Sequence, residues 1–455
     1  MSSPEQPGFE TEITVSSHEL EPEVLETIHE TAREFEPRMI EVRRQIHENP
    51  ELGFQEHETA KLVVEQLKEM GIAEEDIETE IGGTGVVARI RGLKEGGPVV
   101  ALRADMDALP VEEDSGVEFA SKKEGVMHAC GHDAHTASLV GSAKILTALR
   151  ERGRLDGDVL LLFQPNEERA TIERAGSVQI IKHLEENGLW SQIEAIHAVH
   201  VHPTLPLDTI RLREGLQMAG SSRFHWKIKG PGGHGMDVHS QPNPNLMATE
   251  AIHELHRKYN PQEPQDEPNE IVFNPTDLES EEPHGRFNVT GKHVDVRGTL
   301  RVLSDEQPTE KRRGFISAAR DAVDRAIEPW REAGAEAELH FIPGTPPVVH
   351  RHPEQVRNAE QAAQDVIGEG LQIDRSTLPG GEDFAFYLRK FRGHEIPGSF
   401  VMLGASNPEA GIPVTRHHAK DFLIDERVIK QGAELLAEMA LLSIKQIALR
   451  DQKIN

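Results

Sequence analysis

The 455-residue sequence holds a single cysteine, Cys130. One cysteine cannot close an intramolecular disulfide, so no disulfide framework supports the fold, and the sequence points to a reducing compartment, the cytoplasm. Long hydrophobic runs are missing as well. No apolar stretch approaches the roughly 18 residues that span a bilayer, and the acidic opening "MSSPEQPGFETEITVSSHELEPE" lacks the apolar centre of a signal peptide. Positive charge is scarce: 49 lysines and arginines face 78 aspartates and glutamates, for a net charge of −29. Nucleic acid and anionic membrane would be repelled, which excludes both as partners. The acidic residues are spread along the chain, as expected of a protein working in a high-salt, halophile cytoplasm.

What is present is an alternation of strand and helix signals. Residues 1–35, rich in Glu, Ser and Pro, read as an acidic N-terminal extension with weak helical content. The segment "PRMIEVRRQIHENPELGFQEHETAKLVVEQLKEMGI" reads as two amphipathic helices divided at "ENPELGF" and ended by Gly71. Strand-like runs follow, "TGVVARIRG" and "GPVVALRADMDALP". Then come a helix at "TASLVGSAKILTALRERG", a buried strand at "DGDVLLLFQPNEE", a helix at "SVQIIKHLEENG" and a further run, "IEAIHAVHVHP". This order predicts an α/β fold, a mixed, largely parallel sheet flanked by helices.

The pattern changes at residue 218. Residues 218–335 hold the alternating strand "RFHWKIKG", the turn "PGGHG", a Pro/Glu-rich insertion over 261–286, the strand "HVDVRGTLRVL" and a long helix from "PTEKRRGF". They are expected to form an α+β unit inserted into a catalytic domain made of 36–217 and 336–455.

Three buried runs end in chemistry-bearing groups. One ends at Asp105 and Asp107, the second at Glu167 and Glu168, and the third at His197, His200 and His202. Ligands in open α/β sheets bind beyond the carboxyl ends of strands, so these groups are expected to converge there. The segment "MHACGHDAH", residues 127–135, precedes a helix on the same edge. Thiolate, imidazole and carboxylate are the donor set of zinc and its neighbours. A Cys-x-His spacing on extended backbone would aim Cys130 and His132 to one side.

The segments "HENPELGFQEHETA", "LRADMDALPVEE", "MHACGHDAHTA", "LLFQPNEE", "HVHP", "KGPGGHG", "RGTLR", "GGEDFAFYL" and "HHAKDFLIDE" carry a resemblance in order and spacing. From about residue 36 to its end the chain resembles the metal-dependent aminoacylase and carboxypeptidase-G-like amidohydrolases. The similarity is to the subgroup of N-acyl-amino-acid, hippurate and indoleacetyl-amino-acid hydrolases. It implies a catalytic α/β domain, an inserted lid that mediates a homodimer, and two divalent metal ions per subunit (Zn, Mn, Co or Ni). The implied ligands are Cys130, His132, Glu168, His200 and His418. Glu167 is implied as the general base and His234, in "GGHG", as the residue that steadies the oxyanion, while Asn288 and Arg301 are expected to hold the substrate carboxylate. Two departures bear on substrate choice: "RATIERAGS" after the paired glutamates is long and charged, and "MDVH" after "GGHG" keeps His239 but has no proline.

The function so implied is hydrolysis of the amide bond of an N-acyl amino acid to a carboxylic acid and a free amino acid. The alternatives are a dipeptidase or carboxypeptidase of the same family, and a non-catalytic metal-binding relative. The retained Glu167 argues against the last, since a structural site needs no spare base.

Overall fold

The computed structural model describes residues 19–168, 173–237, 239–260, 270–281, 287–305, 308–391 and 393–454. Its first element is a single helix, Pro22–Glu48, with Val24, Ile28, Ala32, Met39, Val42 and Ile46 buried at helical spacing. The expected border at 35/36 therefore falls inside a helix. Pro37 suggested a helix start, but it sits mid-helix on the exposed side, as does Arg33, the residue whose carbonyl it leaves unbonded. Water can satisfy that carbonyl, so the helix continues through the proline. Only residues 1–18 of the expected extension lie outside the described residues.

The larger sheet has eight strands in the order Ile77–Ile81, Gly85–Ile90, Asp158–Gln164, Val99–Asp105, Ile193–Pro206, Gly398–Ser406, Thr209–Arg211, Gln372–Asp374. Its central pairs, from Asp158–Gln164 across to Gly398–Ser406, are parallel, and antiparallel pairs lie towards the edges. The fold is thus mixed and largely parallel, as the alternation predicts. Successive side chains of Val99–Asp105 point to opposite faces. Val100 and Leu102 enter one core cluster, Val99 and Ala101 another. Every residue of this strand is buried, which requires cover on both faces. The helices Pro22–Glu48, His132–Glu151 and Arg427–Ile454 pack together on one face. The other face is closed by Gly176–Glu186 with Trp190, Phe384 and Tyr387.

The second sheet is fully antiparallel, in the order Ile271–Ser280, His293–Val302, Gly220–Lys229, Glu336–Pro343. Burial along Gly220–Lys229 alternates strictly on one face, the pattern of a sheet covered on one side. The helices Pro244–Tyr259 and Pro308–Ile327 cover it. The expected border at 335/336 is corrected by this sheet: Glu336–Pro343 pairs with Gly220–Lys229 along its length, so the inserted unit runs to 343. Within the Pro/Glu-rich insertion over 261–286, Ile271–Ser280 is a paired strand, its buried Ile271 and Phe273 serving the core. Residues 261–269 and 282–286 lie outside the described residues. Among the described residues, no helix is long and apolar enough to cross a membrane.

Candidate functional site

Val99–Asp105 and Asp158–Gln164 are parallel neighbours with Asp105 opposite Gln164, so the loops that leave them emerge side by side. The first carries Asp107 and the second the paired glutamates. The backbone N–H groups of Glu167 and Glu168 donate to the Asp107 carboxylate at 3.0 and 3.1 Å. One carboxylate thereby orients both glutamates, a role that strand-end reasoning did not give Asp107. Asn166, just before them, has a left-handed backbone (φ 46°), held by its N–H to Glu56 and by its side chain to the Arg174 carbonyl.

Cys130 and His132 were expected on extended backbone. Gly131 between them is instead left-handed (φ 89°), and His132 opens the helix His132–Glu151. A Cβ on Gly131 would lie 2.2 Å from a Val201 methyl, so glycine serves both the turn and the close approach. His200 lies within its strand rather than at the end, since Ile193–Pro206 continues past it. The two flanking histidines are committed elsewhere: His197 bonds Ser399 and Ser443, and His202 contacts Thr204 and Arg211.

Tautomers sort the imidazoles. His132 Nδ1 is 2.9 Å from the Asp107 carbonyl, and His200 Nδ1 is 2.7 Å from the Val201 carbonyl. A carbonyl only accepts, so each Nδ1 carries the proton and each Nε2 presents a lone pair in the neutral ring. His200 Nε2 lies 3.5 Å from Cys130 Sγ, and His132 Nε2 lies 3.9 Å from Glu168 Oε1. His135 has neither nitrogen to spare: Nδ1 donates to Asp105 at 2.6 Å and Nε2 accepts from the Val201 N–H at 2.9 Å. His417 commits Nε2 to the Val201 carbonyl at 3.0 Å. His418, with a left-handed backbone (φ 64°), places Nε2 3.1 Å from Glu168 Oε1, close enough for an ion pair but not aligned for a hydrogen bond.

The donors form overlapping groups whose atoms lie within 4.8 Å of one another. Cys130, Glu168 and His418 make one, His132, Glu167 and Glu168 another, and Cys130 also joins His200 beside His417. Two further groups are His132 with His135 and His200, and Glu167 with Glu382 and Asp383, so Cys130, His132, Glu167, Glu168 and His200 each belong to two groups, an overlap that suits two neighbouring cations. The buried atoms His132 Nε2 and Glu168 Oε1 are left without a hydrogen bond. The field also calls for positive charge. Burial opposes charge on His132, but Asp105, Asp107 and Glu168 outweigh it and push its pKa up to about 10. Burial first, then Glu168, Glu167 and Asp105, hold the Cys130 thiol well above its ordinary pKa. A divalent ion would supply the missing charge, displacing the protons from both. The residues present fit such ions.

Glu167 has a second set of neighbours, Glu382 and Asp383. Its Oε1 accepts from the Asp383 N–H at 3.3 Å. Burial, followed by Glu382, Glu168, Asp383 and Asp107, holds its carboxyl well above the usual carboxylate range. Behind it lies a group that sequence patterning missed. Arg103, 1 % exposed, bonds Gln164, Asp105, Glu382 and Asp383 at 2.6–3.1 Å. The signal was an arginine inside the apolar run "VVALRAD", which is rarely buried without partners.

Of the residues expected from the inserted unit, Arg301 reaches this region. It is half-buried, its guanidinium lies against Gly381, and burial and Arg223 lower its pKa while Glu167 opposes them. His234 and Asn288 do not. They lie together on the small ribbon Gly233–His234 with Val289–Thr290, both exposed, with His234 Nε2 3.2 Å from the Asn288 amide. Among the described residues, neither bonds to the ligand cluster.

Residues 101–442 match the model of peptidase family M20/M25/M40. The chain belongs to this family. As an M20 member it is a hydrolase of amide bonds. It is 33% identical over 428 residues to thermostable carboxypeptidase 2 of Saccharolobus solfataricus, covering 93% of this chain and 99% of that one. It is 34% identical over 418 residues to an N-acetylcysteine deacetylase of Bacillus subtilis, covering 91% and 98%. A solved Bacillus subtilis M20 peptidase, described as binding a dinuclear metal, superposes with a TM-score of 0.70 at 33% identity, covering 90% of this chain and 99% of that one. The M20 likeness agrees with a donor set whose groups overlap.

Proposed function

We propose that the protein hydrolyses N-acyl amino acids, releasing a carboxylic acid and a free amino acid. The supporting observation is the different company kept by adjacent glutamates: Glu168 shares donor groups with Cys130, His132 and His418, while Glu167, which shares the His132 group, has Glu382 and Asp383 as its other neighbours and accepts from the Asp383 N–H. Cys130, His132, Glu168, His200 and His418 would hold two divalent ions, Zn, Mn, Co or Ni. Such ions polarise a scissile carbonyl and acidify a water molecule. Glu167 takes the water proton on its carboxylate and delivers it to the leaving amine, a task suited to a carboxyl whose proton affinity is raised. Arg301 grips the substrate carboxylate, for which a guanidinium offers two parallel N–H bonds.

His234 and Asn288 need a closing movement or a second subunit to take part. The same ribbon region exposes Met236 and Phe287 to solvent, which favours a homodimer formed through the inserted unit, here 220–343. In that dimer His234 of one subunit donates to the oxyanion forming in the other, and Asn288 assists Arg301. The catalytic unit comprises the described residues outside that insert. The surface excess of carboxylates supports a cytoplasm of high salt as the working medium, tested by an activity optimum in molar KCl.

A dipeptidase or carboxypeptidase activity is the second reading, favoured by the likeness to the Saccharolobus solfataricus carboxypeptidase. Assays of acetyl- and benzoyl-amino acids beside dipeptides, with Zn, Mn, Co and Ni supplied in turn, separate the two. Turnover of dipeptides alone would overturn the first. Metal content of Cys130→Ala tests the site itself: an unchanged stoichiometry removes the thiolate from the ligand set.

A further inference from the structure

A cavity of about 270 Å³ lies where the chain crosses between the two sheets, and no member of the donor cluster lines it. The crossings are stitched together. The Ser221 N–H donates to the Thr345 carbonyl at 2.8 Å, the Gly344 N–H donates to the Ser221 carbonyl at 3.1 Å, and the two hydroxyls of Ser221 and Thr345 lie 2.9 Å apart. Around this seam stand Arg312, from the helix Pro308–Ile327 of the insert, and Arg351 and Arg389, from the catalytic unit.

Most arginines near a carboxylate in this acidic chain are paired with one, as Arg44 is with Glu426, Arg211 with Asp374 and Arg427 with Asp425. Among the described residues, Arg312, Arg351 and Arg389 make no ion pair. Three unpaired guanidiniums around one pocket repel one another. Burial, then Arg313 and Arg389, lower the pKa of Arg312, so the like charge is felt across the cavity. Guanidiniums bordering a pocket that Ser222 and Thr345 also line suit the bidentate recognition of carboxylate or phosphate oxygens.

We propose that this cavity binds a small multivalent oxyanion, bearing phosphate or several carboxylates, that ties the inserted unit to the catalytic unit across the crossing strands. Such a ligand contacts Arg312 on one side of the seam and Arg351 and Arg389 on the other, so it favours one relative placement of the two units. The residues that line the cavity include none of those assigned to the metal ions, the general base or the substrate carboxylate, although Arg301 lies close behind Thr345.

The test is thermal unfolding of the full chain in constant KCl, titrated with inorganic phosphate in one series and citrate in another. Ligand that binds only the folded state raises the melting temperature with concentration. At 100 times the dissociation constant, stability rises by about 2.7 kcal/mol. The expected result is a saturable rise with at least one anion, and the stronger of the two names the chemical group. The rise should vanish in the Arg351→Gln/Arg389→Gln double variant, whose changed side chains are exposed and outside the reaction site. Phosphate can also bind metal ions, so the titration is repeated on protein stripped with 1,10-phenanthroline, a neutral chelator. Persistence of the rise there supports the seam site. Absence of a rise with both anions, its survival in the double variant, or its loss on stripping would each overturn the proposal.

Discussion

The eight-stranded sheet buries both faces, one beneath largely aliphatic helices and the other partly beneath Trp190, Phe384 and Tyr387, whereas the four-stranded sheet buries one face only and fills it with rings. Trp226 stacks on Phe273 at 5.6 Å and 16°, Phe224 sits 4.8 Å from Trp226, and Phe315 closes the group against Phe273 at 5.3 Å. The larger sheet keeps its polar groups inside, as the Arg103 cluster and the Arg43–Asp133–His47 network. The smaller sheet leaves its polar groups on the open face, where His225, Lys227 and His293 surround Asp295. A doubly covered parallel sheet can carry charge only where each charge is matched in a dry interior, and that same dryness sharpens the electrostatics of a reaction centre. A singly covered sheet gives up that capacity and gains a wet face that can move or meet a partner.

The sharpest way to break the contrast is at the paired glutamates. Glu167→Gln should retain metal and lose about 10²- to 10⁴-fold in turnover, the span of a general base, whereas Glu168→Gln should lose metal. Metal analysis beside steady-state kinetics decides this, and early metal loss in Glu167→Gln would reverse the two roles.

Next in size are the two interiors. Arg103→Met strands Asp105, Glu382 and Asp383 in the dry sheet and should cost about 3–5 kcal/mol. Trp226→Ala opens a hole among the rings and should cost a similar 3–5 kcal/mol. The two variants should part company over metal: denaturant unfolding beside metal titration should show the first losing metal affinity with stability, and the second keeping it. Equal metal retention in both would erase the distinction between the sheets.

His234→Ala should lower kcat by about 10² to 10³, the effect of one lost oxyanion donor, with metal content unchanged. If the histidine acts across a dimer, mixing this variant with Glu167→Gln restores part of the activity. A wild-type rate in His234→Ala would leave the smaller sheet without a catalytic part.

The smallest effect concerns Glu438, fully buried in the helix Arg427–Ile454 with no hydrogen bond to either carboxylate oxygen. Burial, then Asp365 and Glu434, hold its pKa well above the ordinary value. The folded chain keeps a proton that the unfolded chain sheds above a pH of about 4.3, so stability falls as pH rises from there. Glu438→Gln should lack that slope and melt higher at pH 8, on the order of 1–2 °C, the gap closing near pH 4. A scanning fluorimetry series in pH that shows parallel curves would refute it.

Much of the larger sheet was legible because period and chemistry coincide there: "VVALRAD" and "VLLLFQPNEE" end at Asp105 and at Glu167–Glu168 as strand-end reasoning requires. His200 escaped the rule, being mid-strand, and motif resemblance alone separated it from His197 and His202. Nothing within the strand distinguishes its three histidines, because their difference lies in Ser399 and Ser443, distant in the chain, and in Arg211 on the next strand. Arg103, Glu382 and Asp383 were illegible as a unit for the same reason, being joined across about 280 residues. Pro37 misled because a proline is compatible with a helix interior when the carbonyl it orphans faces water.

Both lone-pair imidazoles are aimed by main-chain oxygens, those of Asp107 and Val201. A side chain that orients a ligand can be lost in one codon change, but a carbonyl cannot be substituted away. The aim of His132 and His200 is consequently inherited with the path of the backbone, and residues lining the substrate pocket are free to vary without turning those rings. In an engineering setting, selectivity should be the pliable property of this enzyme and metal grip the stubborn one.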